Sequence, residues 1–448
     1  MRTPAPETLP VALTIAGSDS GGGAGIQADL ATMAGHDVYG TSAITAVTSQ
    51  HSRGVERSYP LPLEEVEGQL SAVTGDFDIG AAKTGMLATT EIVRAIATEA
   101  ENFAFPLVVD PVMVATSGDR LLEPEAERAY EDLIGEAAIV TPNADEAEVL
   151  TGITVEDEDS AIEAGEALLE FGTDAALVKG GHVPGETISD VLVTEDGVRT
   201  FEHTRVDTDA THGSGCTLAA AVAARLAKGD SLEDAVSGAT DFLTRAVRYH
   251  YDVGQGAGAV NHGVEQRNRA AMESTTEQVR NAVGRIVEAD ISPLVPEVGT
   301  NVVGATPYAD AVEETAAVEG RITRTLGGIS PNGAVRFGAS KNVARFLLDA
   351  REVCPSLRFA CNLRFNEEVE QALEELGWVI TELSRDTESE TDEWVTPTAV
   401  ETVFDGDGDH PTAIIDRGSV GKEAMTYLVA VEAETVADRV LELYSELD

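Results

Sequence analysis

A glycine-rich stretch at residues 211–217, Thr-His-Gly-Ser-Gly-Cys-Thr, holds the residue types best suited to chemistry. A run of small residues follows it and predicts a helix. Because glycine turns sharply without a Cβ, we expect the N–H groups of Gly213, Ser214, Gly215 and Cys216 to share one concavity at the helix N-terminus. Free amides and the helix dipole both favour an anion there. The stretch predicts a cradle for a transferring phosphoryl group, with Cys216 as base and its pKa lowered. The alternative is an ordinary junction between a loop and a helix, with a small buried cysteine.

Polar side chains also follow several apolar runs that predict buried strands. A strand over residues 11–16, a glycine loop and a helix over 26–35 indicate a parallel α/β layer. In such open sheets the ligand crevice lies at the carboxyl ends of the strands. The side chains at those ends are Gln50, Lys83, Asp110, Asn143 and Lys179. We therefore predict an α/β fold with an open, mostly parallel sheet and helices on both faces, followed by a second, smaller α/β domain.

Three loops hold motif-like residues that fit no familiar motif completely. The glycine loop at 17–25 matches neither the lysine-bearing phosphate loop nor the dinucleotide fingerprint, so it indicates close approach of a ligand or of backbone only. Residues 405–409 imitate the start of a calcium loop, but His410 stands where glycine is needed and the terminal glutamate is absent. The turn at 418–423 is too short for a phosphate loop. We interpret residues 405–409 as an acidic surface loop.

The charge of the chain is extreme: 79 acidic residues against 30 basic ones give a net charge of −49. Only five lysines occur, and the acidic residues are spread over the whole sequence. This pattern is typical of adaptation to a high-salt cytoplasm, where salt screens the self-repulsion. The alternative is a basic binding partner, which the lack of a localised acidic segment disfavours. The charge argues against nucleic-acid binding, which needs a basic surface.

Targeting and redox features predict a cytoplasmic protein. The three cysteines have neither a disulfide framework nor a metal-binding spacing, and no apolar run approaches the length of a membrane span. Residues 254–263 are glycine-rich and predict a linker. A second domain is predicted from about residue 272, beginning with a long amphipathic helix. We expect small-molecule substrates, a homo-oligomer, and no nucleic-acid or membrane partner.

Taken together in order, six motifs resemble the hydroxymethylpyrimidine/phosphomethylpyrimidine kinases of thiamine biosynthesis, which have a ribokinase-like fold. The resemblance covers about residues 8–265. The motifs are Gly-Ser-Asp-x-Gly-Gly-Gly-Ala-Gly-Ile-Gln-Ala-Asp-Leu from residue 17, Lys-Thr-Gly-Met from 83, Asp-Pro-Val from 110, Thr-Pro-Asn-x-x-Glu from 141, Lys-Gly-Gly-His from 179 and Thr-His-Gly-Ser-Gly-Cys-Thr from 211.

The resemblance implies a pyrimidine site and a phosphoryl-transfer site. Asp29 and Gln50 are expected to hydrogen-bond an aminopyrimidine in a pocket lined by Gly17, Met86 and Val112. ATP and Mg²⁺ are the implied cofactors. A pyridoxal-type kinase is the less favoured alternative, because Gln50, Met86 and the loop with Cys216 argue against it.

The same resemblance assigns residues to the metal ion and to the phosphates. Asp110 and Glu146 are expected to hold Mg²⁺, directly or through water, and Asn143 and Lys179 to serve the nucleotide phosphates. Residues 213–216 would form the anion hole. Because phosphoryl transfer needs chiefly positioning and charge neutralisation, we expect Cys216 to matter less than the hole itself.

Residues 272–448 resemble an archaeal-type thiamine-phosphate synthase domain. The motifs are Val-x-Gly-Arg-Ile from residue 318, Arg-Phe-Gly-Ala-Ser from 336 and Asp-Arg-Gly-x-x-Gly-Lys-Glu from 416. Arg321, Arg336 and Lys422 are expected to form a phosphate site with Asn342, which stands where active relatives have histidine. A neutral amide takes no positive charge. Two hypotheses follow: a synthase that couples the pyrimidine pyrophosphate to thiazole phosphate, or a non-catalytic ligand-sensing module.

Overall fold

Contacts within the chain divide it into two compact units, residues 1–265 and 266–448. The computed structural model describes residues 2–113, 127–383, 397–404, 410–419 and 421–447. The acidic loop predicted at 405–409 and the acidic stretch at 388–393 lie outside the described residues. In the described part of the chain, no helix is both long enough and apolar enough to cross a membrane.

The first unit is built on a nine-stranded sheet with the order β3-β2-β1-β4-β5-β6-β7-β8-β9. Strands β1, β2, β4, β5, β6 and β7 run parallel, while β3, β8 and β9 pair antiparallel at the two edges. The strands are β1 (Val11–Ser18), β2 (Tyr39–His51), β3 (Gly54–Pro60), β4 (Ile79–Thr84), β5 (Leu107–Val109), β6 (Ile139–Val140), β7 (Ala175–Val178), β8 (Thr187–Thr194) and β9 (Gly197–Thr204).

Helices cover both faces of this sheet, as predicted. Side chains alternate between faces along a strand, so adjacent residues of β1 point to opposite faces of the sheet. Ala12 packs with Met33 and Ala224, while Leu13 belongs to the large core that includes Val66 and Ile96. The helices are α1 (Gly25–Gly35), α2 (Leu63–Thr74), α3 (Thr90–Ala100), α4 (Glu127–Gly135), α5 (Ala144–Thr151), α6 (Glu158–Leu169), α7 (Ser214–Ala227) and α8 (Leu232–Arg248).

The predicted linker at residues 254–263 is instead a packed part of the first unit. Tyr251 N donates to Ala259 O at 2.7 Å, and Gly256 N donates to Ser52 Oγ at 3.0 Å. Val260 has no exposed surface. The glycines allow this close packing rather than flexibility. The long helix that follows therefore starts at Val264 and not near residue 272.

The second unit is a seven-stranded sheet with the order β14-β11-β10-β15-β18-β17-β16, together with the hairpin β12–β13. Its pairs are antiparallel except for β16 with β17. The strands are β10 (Asn301–Ala305), β11 (Thr315–Val318), β12 (Ile322–Thr325), β13 (Gly328–Pro331), β14 (Val335–Phe337), β15 (Phe359–Arg364), β16 (Ile380–Glu382), β17 (Ala413–Asp416) and β18 (Met425–Ala430).

Two hydrophobic cores lie on the two faces of this second sheet. Val302 of β10 packs into the core that contains Ile286, and its neighbour Val303 packs into the core that contains Leu347. The second unit is thus also an α/β layered structure. Its helices are α9 (Val264–Ala289), which begins at the boundary between the units, α10 (Asn342–Val353), α11 (Glu367–Leu376), α12 (Pro397–Phe404) and α13 (Ala433–Ser445).

Candidate active site

A cavity of about 990 Å³ opens at the carboxyl ends of the parallel strands of the first unit. This is the edge at which ligands bind in open α/β sheets. Glycine loops, strand ends and the start of α7 contribute to its wall. The residues predicted for the kinase site that line it are Gly17, Gln50, Met86, Asp110, Val112, Asn143, Glu146, Lys179, Gly213, Ser214, Gly215 and Cys216.

Met86 and Gly17 form an apolar floor at one end of the cavity. Gly17 N donates to Met86 O at 3.1 Å, and a Cβ on Gly17 would overlap the Met86 methyl group. Ala46 and Ala88 complete the patch, with Val112 packed against it. A side chain at position 17 would displace the Met86 methyl group from its place in this floor. The apolar floor is suited to contact the face of a flat ring.

The predicted anion loop is a tight turn that leads into α7. Gly213 has a φ of +83°, a conformation that favours glycine, and a Cβ there would overlap the carbonyl of Gly23. Ser214 N donates to Thr211 O at 3.1 Å within the turn. The prediction that four consecutive amides face one concavity is therefore wrong for Ser214, whose N–H is already used. The amides of Gly215 and Cys216 lie in the first turn of α7, where helix geometry leaves N–H groups without partners of their own.

A lysine–carboxylate pair faces the start of α7. Lys179 Nζ lies 3.2 Å from Asp110 Oδ1, and both side chains are largely buried. A Cβ on Gly215 would lie 3.3 Å from Lys179 Nζ and 3.8 Å from Asp110 Oδ2. Asp110 Oδ2 is buried, and no described residue hydrogen-bonds to it. The site thus juxtaposes a helix N-terminus, an ammonium group and an unsatisfied carboxylate oxygen.

Asn143 and Glu146 form a capping box at the start of α5. Glu146 N donates to Asn143 Oδ1 at 2.8 Å, and Asn143 N donates to Glu146 Oε2 at 2.9 Å. Burial raises the pKa of Glu146 to about 7; Lys179 opposes this shift, and the carboxylate of Asp110 adds to it. A second carboxylate therefore lies beside Asp110 at the same edge of the sheet, held by its helix cap.

Asp29 does not line the cavity, contrary to the expected contact with a pyrimidine. It has no exposed surface, and its two carboxylate oxygens accept hydrogen bonds from Lys83 Nζ at 2.9 and 3.0 Å. Thr14 Oγ1 donates to Asp29 Oδ2 at 2.6 Å. Burial alone would lower the pKa of Lys83, but the Asp29 charge raises it above its ordinary value. In this structure Asp29 is the counter-ion of a buried lysine, so a contact with substrate is not supported.

The expected lowering of the Cys216 pKa is also wrong. Burial raises the pKa of the thiol to about 11, and the charge of Lys83 opposes the shift without overcoming it. Gly25 N hydrogen-bonds to the sulfur. Desolvation thus outweighs the Lys83 charge and the Gly25 hydrogen bond, and the thiol holds its proton near neutral pH.

Sequence reasoning missed Asp19 and His212, which also line the cavity. Asp19 Oδ2 accepts from Gly23 N at 3.0 Å and lies 3.2 Å from His212 Nε2. His212 Nε2 is 3.4 Å from Gln50 Nε2. Asp19 belongs to the motif that starts at residue 17, and His212 belongs to the motif that starts at residue 211. Their chemistry was hidden because loops 193 residues apart in sequence meet only in the folded chain.

In the second unit, Arg321 and the turn that contains Lys422 approach the same segment. Arg321 Nη1 donates to Val298 O at 2.6 Å. Glu423, next to Lys422, accepts from Val298 N at 3.3 Å. Arg321 and the turn that contains Lys422 therefore both lie against the loop that precedes β10.

Arg336 and Asn342 are placed differently. Arg336 forms an exposed ion pair with Glu319 at 3.0 Å. Asn342 is the first residue of α10. Since β14 runs antiparallel to β11 and Gly338 N donates to Thr315 O, the chain leaves β14 at the opposite end of β11 from Arg321. The chain therefore passes from β14 towards Asn342 at one end of β11, whereas Arg321 follows the other end.

Comparison with known proteins agrees with this two-part organisation. Residues 19–261 match the phosphomethylpyrimidine kinase family, and residues 278–442 match the thiamine-phosphate synthase ThiN family. The hydroxymethylpyrimidine/phosphomethylpyrimidine kinase of Streptomyces coelicolor is 46% identical over 259 residues, which are 58% of this chain and 96% of that protein. The kinase of the same name from Bacillus subtilis is 43% identical, over 57% of this chain and 96% of that protein.

Among solved structures, pyridoxal kinase from Bacillus subtilis in an ADP complex superposes with a TM-score of 0.54 at 35% identity. It covers 57% of this chain and 98% of that chain. Pyridoxal kinase from Staphylococcus aureus with ADP gives the same score at 33% identity, over 57% of this chain and 94% of that chain. Since the kinase family model spans more than half of the residues and the cavity lies where its motifs converge, this chain belongs to the phosphomethylpyrimidine kinase family, with a ThiN-type region behind it.

Proposed function

We propose that the first unit transfers the terminal phosphoryl group of ATP to the hydroxymethyl group of 4-amino-5-hydroxymethyl-2-methylpyrimidine. A second transfer to the resulting monophosphate gives the pyrophosphate. The observation that carries this proposal is a single cavity in which Gln50 and the apolar floor lie beside the start of α7 and the pair Asp110–Lys179. A flat ring and a phosphoryl group could thus be held together, which is the main requirement of phosphoryl transfer.

Asp110 and Glu146 fit a Mg²⁺ ion, which takes oxygen ligands and commonly uses one or two carboxylates together with phosphates and water. The buried Asp110 Oδ2 without a partner is the supporting observation. When bound, the ion would neutralise phosphate charge. Lys179 and Asn143 are proposed to hold the phosphates.

Cys216 is proposed as the group that accepts the proton of the substrate hydroxyl. Only the thiolate can accept this proton, and the raised pKa leaves a small thiolate fraction near neutral pH, because the resting thiol is protonated. The amides of the helix start should therefore contribute more to the rate than the sulfur does. The cavity continues past this point along Leu243 and Val247 of α8, which offer apolar surface for the base of a nucleotide.

The competing substrate is pyridoxal, since pyridoxal kinases superpose on the first unit. The test is a steady-state assay of the full chain in molar KCl with ATP and Mg²⁺, comparing hydroxymethylpyrimidine with pyridoxal. We expect kcat/KM to favour the pyrimidine strongly. Equal or better use of pyridoxal would reverse the assignment of substrate.

The second unit is proposed to bind thiamine phosphate or its precursors, with weak or absent synthase activity. The supporting observation is Asn342 at the start of α10, because a neutral amide adds no charge to help a departing pyrophosphate. Loss of one charge-assisted contact in a transition state typically costs about 10²–10³ in rate. The alternative is a complete synthase in which Mg²⁺ or the neighbouring Lys341 supplies the charge.

An assay of the full chain with the pyrimidine pyrophosphate and thiazole phosphate separates these alternatives. Asn342→His should raise the rate of thiamine-phosphate formation if the rest of the site is whole. Asn281→His is a control with the same chemical change, because Asn281 is an exposed residue of α9. Rapid synthesis by the unmodified chain would favour a fully bifunctional enzyme.

Cytoplasmic location and a homo-oligomeric state are further parts of the proposal. All three cysteines, Cys216, Cys354 and Cys361, are free thiols, which supports a reducing compartment. Light scattering of the full chain in molar KCl tests the oligomeric state, and a monomeric mass would refute it.

A further inference from the structure

A chain of hydrogen-bonding groups leads from the glycine loop to Gln50 on the wall of the cavity. Asp19 is 2% exposed, and its Oδ2 lies 3.2 Å from His212 Nε2. The same imidazole nitrogen lies 3.4 Å from the side-chain amide of Gln50. His212 therefore stands between a fixed carboxylate and the amide that is proposed to contact the pyrimidine.

Within this series of hydrogen-bonding groups, the Nε2 atom of His212 must carry a hydrogen. Burial alone would raise the pKa of Asp19, but hydrogen bonds from His212 and from the backbone of Gly21 and Ala24 hold it below its ordinary value. An ionised carboxylate only accepts hydrogen bonds. His212 Nε2, at 3.2 Å from it, is therefore the donor. Toward Gln50 it can offer the same hydrogen but no lone pair.

On its other side, the Gln50 amide meets a group that can only accept. Thr48 Oγ1 donates its single hydrogen to Ser18 O at 2.7 Å. The same oxygen lies 3.3 Å from Gln50 Oε1. Since the hydroxyl hydrogen is already used, the Thr48 oxygen offers Gln50 a lone pair.

Both neighbours demand the same orientation of the Gln50 amide. With the nitrogen toward His212 and the oxygen toward Thr48, a donor faces a donor and an acceptor faces an acceptor, and the contacts of 3.4 and 3.3 Å are long for hydrogen bonds. A half-turn of the amide occupies the same space and removes both conflicts, because the oxygen then faces an N–H that His212 shares with Asp19 and the nitrogen can donate to Thr48.

We propose that His212, held by Asp19, is a positioning residue that fixes the Gln50 amide with its oxygen toward His212 and its nitrogen toward Thr48. This inference rests on the proposed kinase function. The second N–H and the second oxygen lone pair of the Gln50 amide then face the cavity, each in a fixed position. A 4-aminopyrimidine offers a ring-nitrogen acceptor beside an amino donor, which this order matches. The 4-oxo analogue offers a ring N–H and a carbonyl, the same pair reversed, and is rejected.

The test is the ratio of kcat/KM for the 4-amino substrate to that for its 4-oxo analogue, measured with the full chain and ATP. For His212→Phe we expect this ratio to fall by about tenfold or more, chiefly through KM, because the freed amide can turn to serve either edge. His51→Phe is the matched control. His51 follows Gln50 in sequence, is 45% exposed and pairs with Glu56, so it should leave the ratio unchanged.

A second pair of variants keeps the test independent of the stability of the His212 variant. Thr48→Val removes the acceptor on the other side of the amide and should also lower the ratio, whereas Thr48→Ser should keep it. If His212→Phe and Thr48→Val slow both substrates equally and leave the ratio within about twofold of the unmodified enzyme, His212 has only a structural role and the proposal is overturned.

Calorimetric binding of the two pyrimidines to the same variants separates this inference from the proposed function. If the unmodified chain phosphorylates neither pyrimidine, the proposed function fails. The ratio of the two dissociation constants then decides the positioning role by the same criterion: a fall in His212→Phe supports it, and an unchanged ratio contradicts it.

Discussion

At the scale of single residues, Cys216 combines a reactive position with a setting that suppresses its reactivity. Its amide lies in the first turn of α7, but the thiol lies at the wall of the cavity, where desolvation raises its pKa to about 11. Nucleophilicity and basicity both belong to the thiolate. The resting enzyme should therefore carry an unreactive sulfur beside the proposed anion hole.

The pH dependence of alkylation tests this directly. In the absence of ligands, we expect iodoacetamide to modify Cys216 slowly at pH 7.5 and about tenfold faster for each added pH unit up to pH 10, since the thiolate fraction grows below the pKa. Peptide mass analysis separates Cys216 from the buried Cys354 and Cys361. A rate that levels off below pH 8 would mean that the pKa is lowered, as the sequence suggested.

The buried pair Asp29–Lys83 gives a second prediction at this scale. Asp29→Asn should lower the free energy of unfolding by about 3 kcal/mol, because it leaves the Lys83 ammonium buried without its counter-ion. Urea unfolding in molar KCl measures the effect. Lys83→Met combined with Asp29→Asn should recover part of the loss. A stable Asp29→Asn variant with a raised KM for the pyrimidine would restore the direct contact that the motif implied.

At the scale of elements, the start of α7 is the feature on which the site depends. The backbone of Gly215 approaches Lys179 and Asp110 so closely that a Cβ there would stand 3.3 Å from Lys179 Nζ. Gly213 is held in a left-handed turn against the glycine loop. Two separate loops thus fix the first turn of one helix, whose amides we propose as the anion site.

We predict that Gly215→Val lowers kcat by at least about 10²-fold, because a branched side chain fills the space beside the amides and displaces Lys179. Cys216→Ala should lower it by only about tenfold and leave the pyrimidine KM nearly intact. Circular dichroism checks that both variants fold. The reverse order of the two effects would place the main catalytic contribution in the thiol.

Sequence patterns located best the strands that consist of an apolar run followed by a polar residue. The strand predicted over residues 11–16 lies within β1, and the polar ends at Asp110, Asn143 and Lys179 follow strands of the same sheet. The segment at 254–263 was mistaken for a linker because glycine content does not distinguish close packing from flexibility. Asp29 was misplaced because a motif gives no information on which partner, Lys83 or substrate, its carboxylate meets.

At the scale of the whole molecule, the acidic surface is the dominant physical property. A net charge of −49 on 448 residues produces self-repulsion that opposes folding at low ionic strength. Most pairs that involve the few cations on the surface, such as Arg285 with Asp438, offset little of it. Screening by salt should therefore contribute to stability throughout the chain.

We expect Tm to rise by at least several degrees between 0.1 M and 3 M KCl, because acid–acid repulsion is screened. Differential scanning calorimetry of the full chain measures the shift. Sucrose strengthens burial without screening charge and should raise Tm less. A flat or falling response to KCl would show that the acidity serves another purpose, such as binding a basic partner.

The central claim is that one cavity performs both phosphoryl transfers. Phosphorus NMR of the full chain with ATP, Mg²⁺ and hydroxymethylpyrimidine tests it, because the monophosphate and the pyrophosphate give separate signals. We predict that the unmodified chain forms the monophosphate and then the pyrophosphate, and that Gly215→Val slows both steps by similar factors. Loss of one step with the other at its normal rate would contradict the account, since the two transfers would then use different sites.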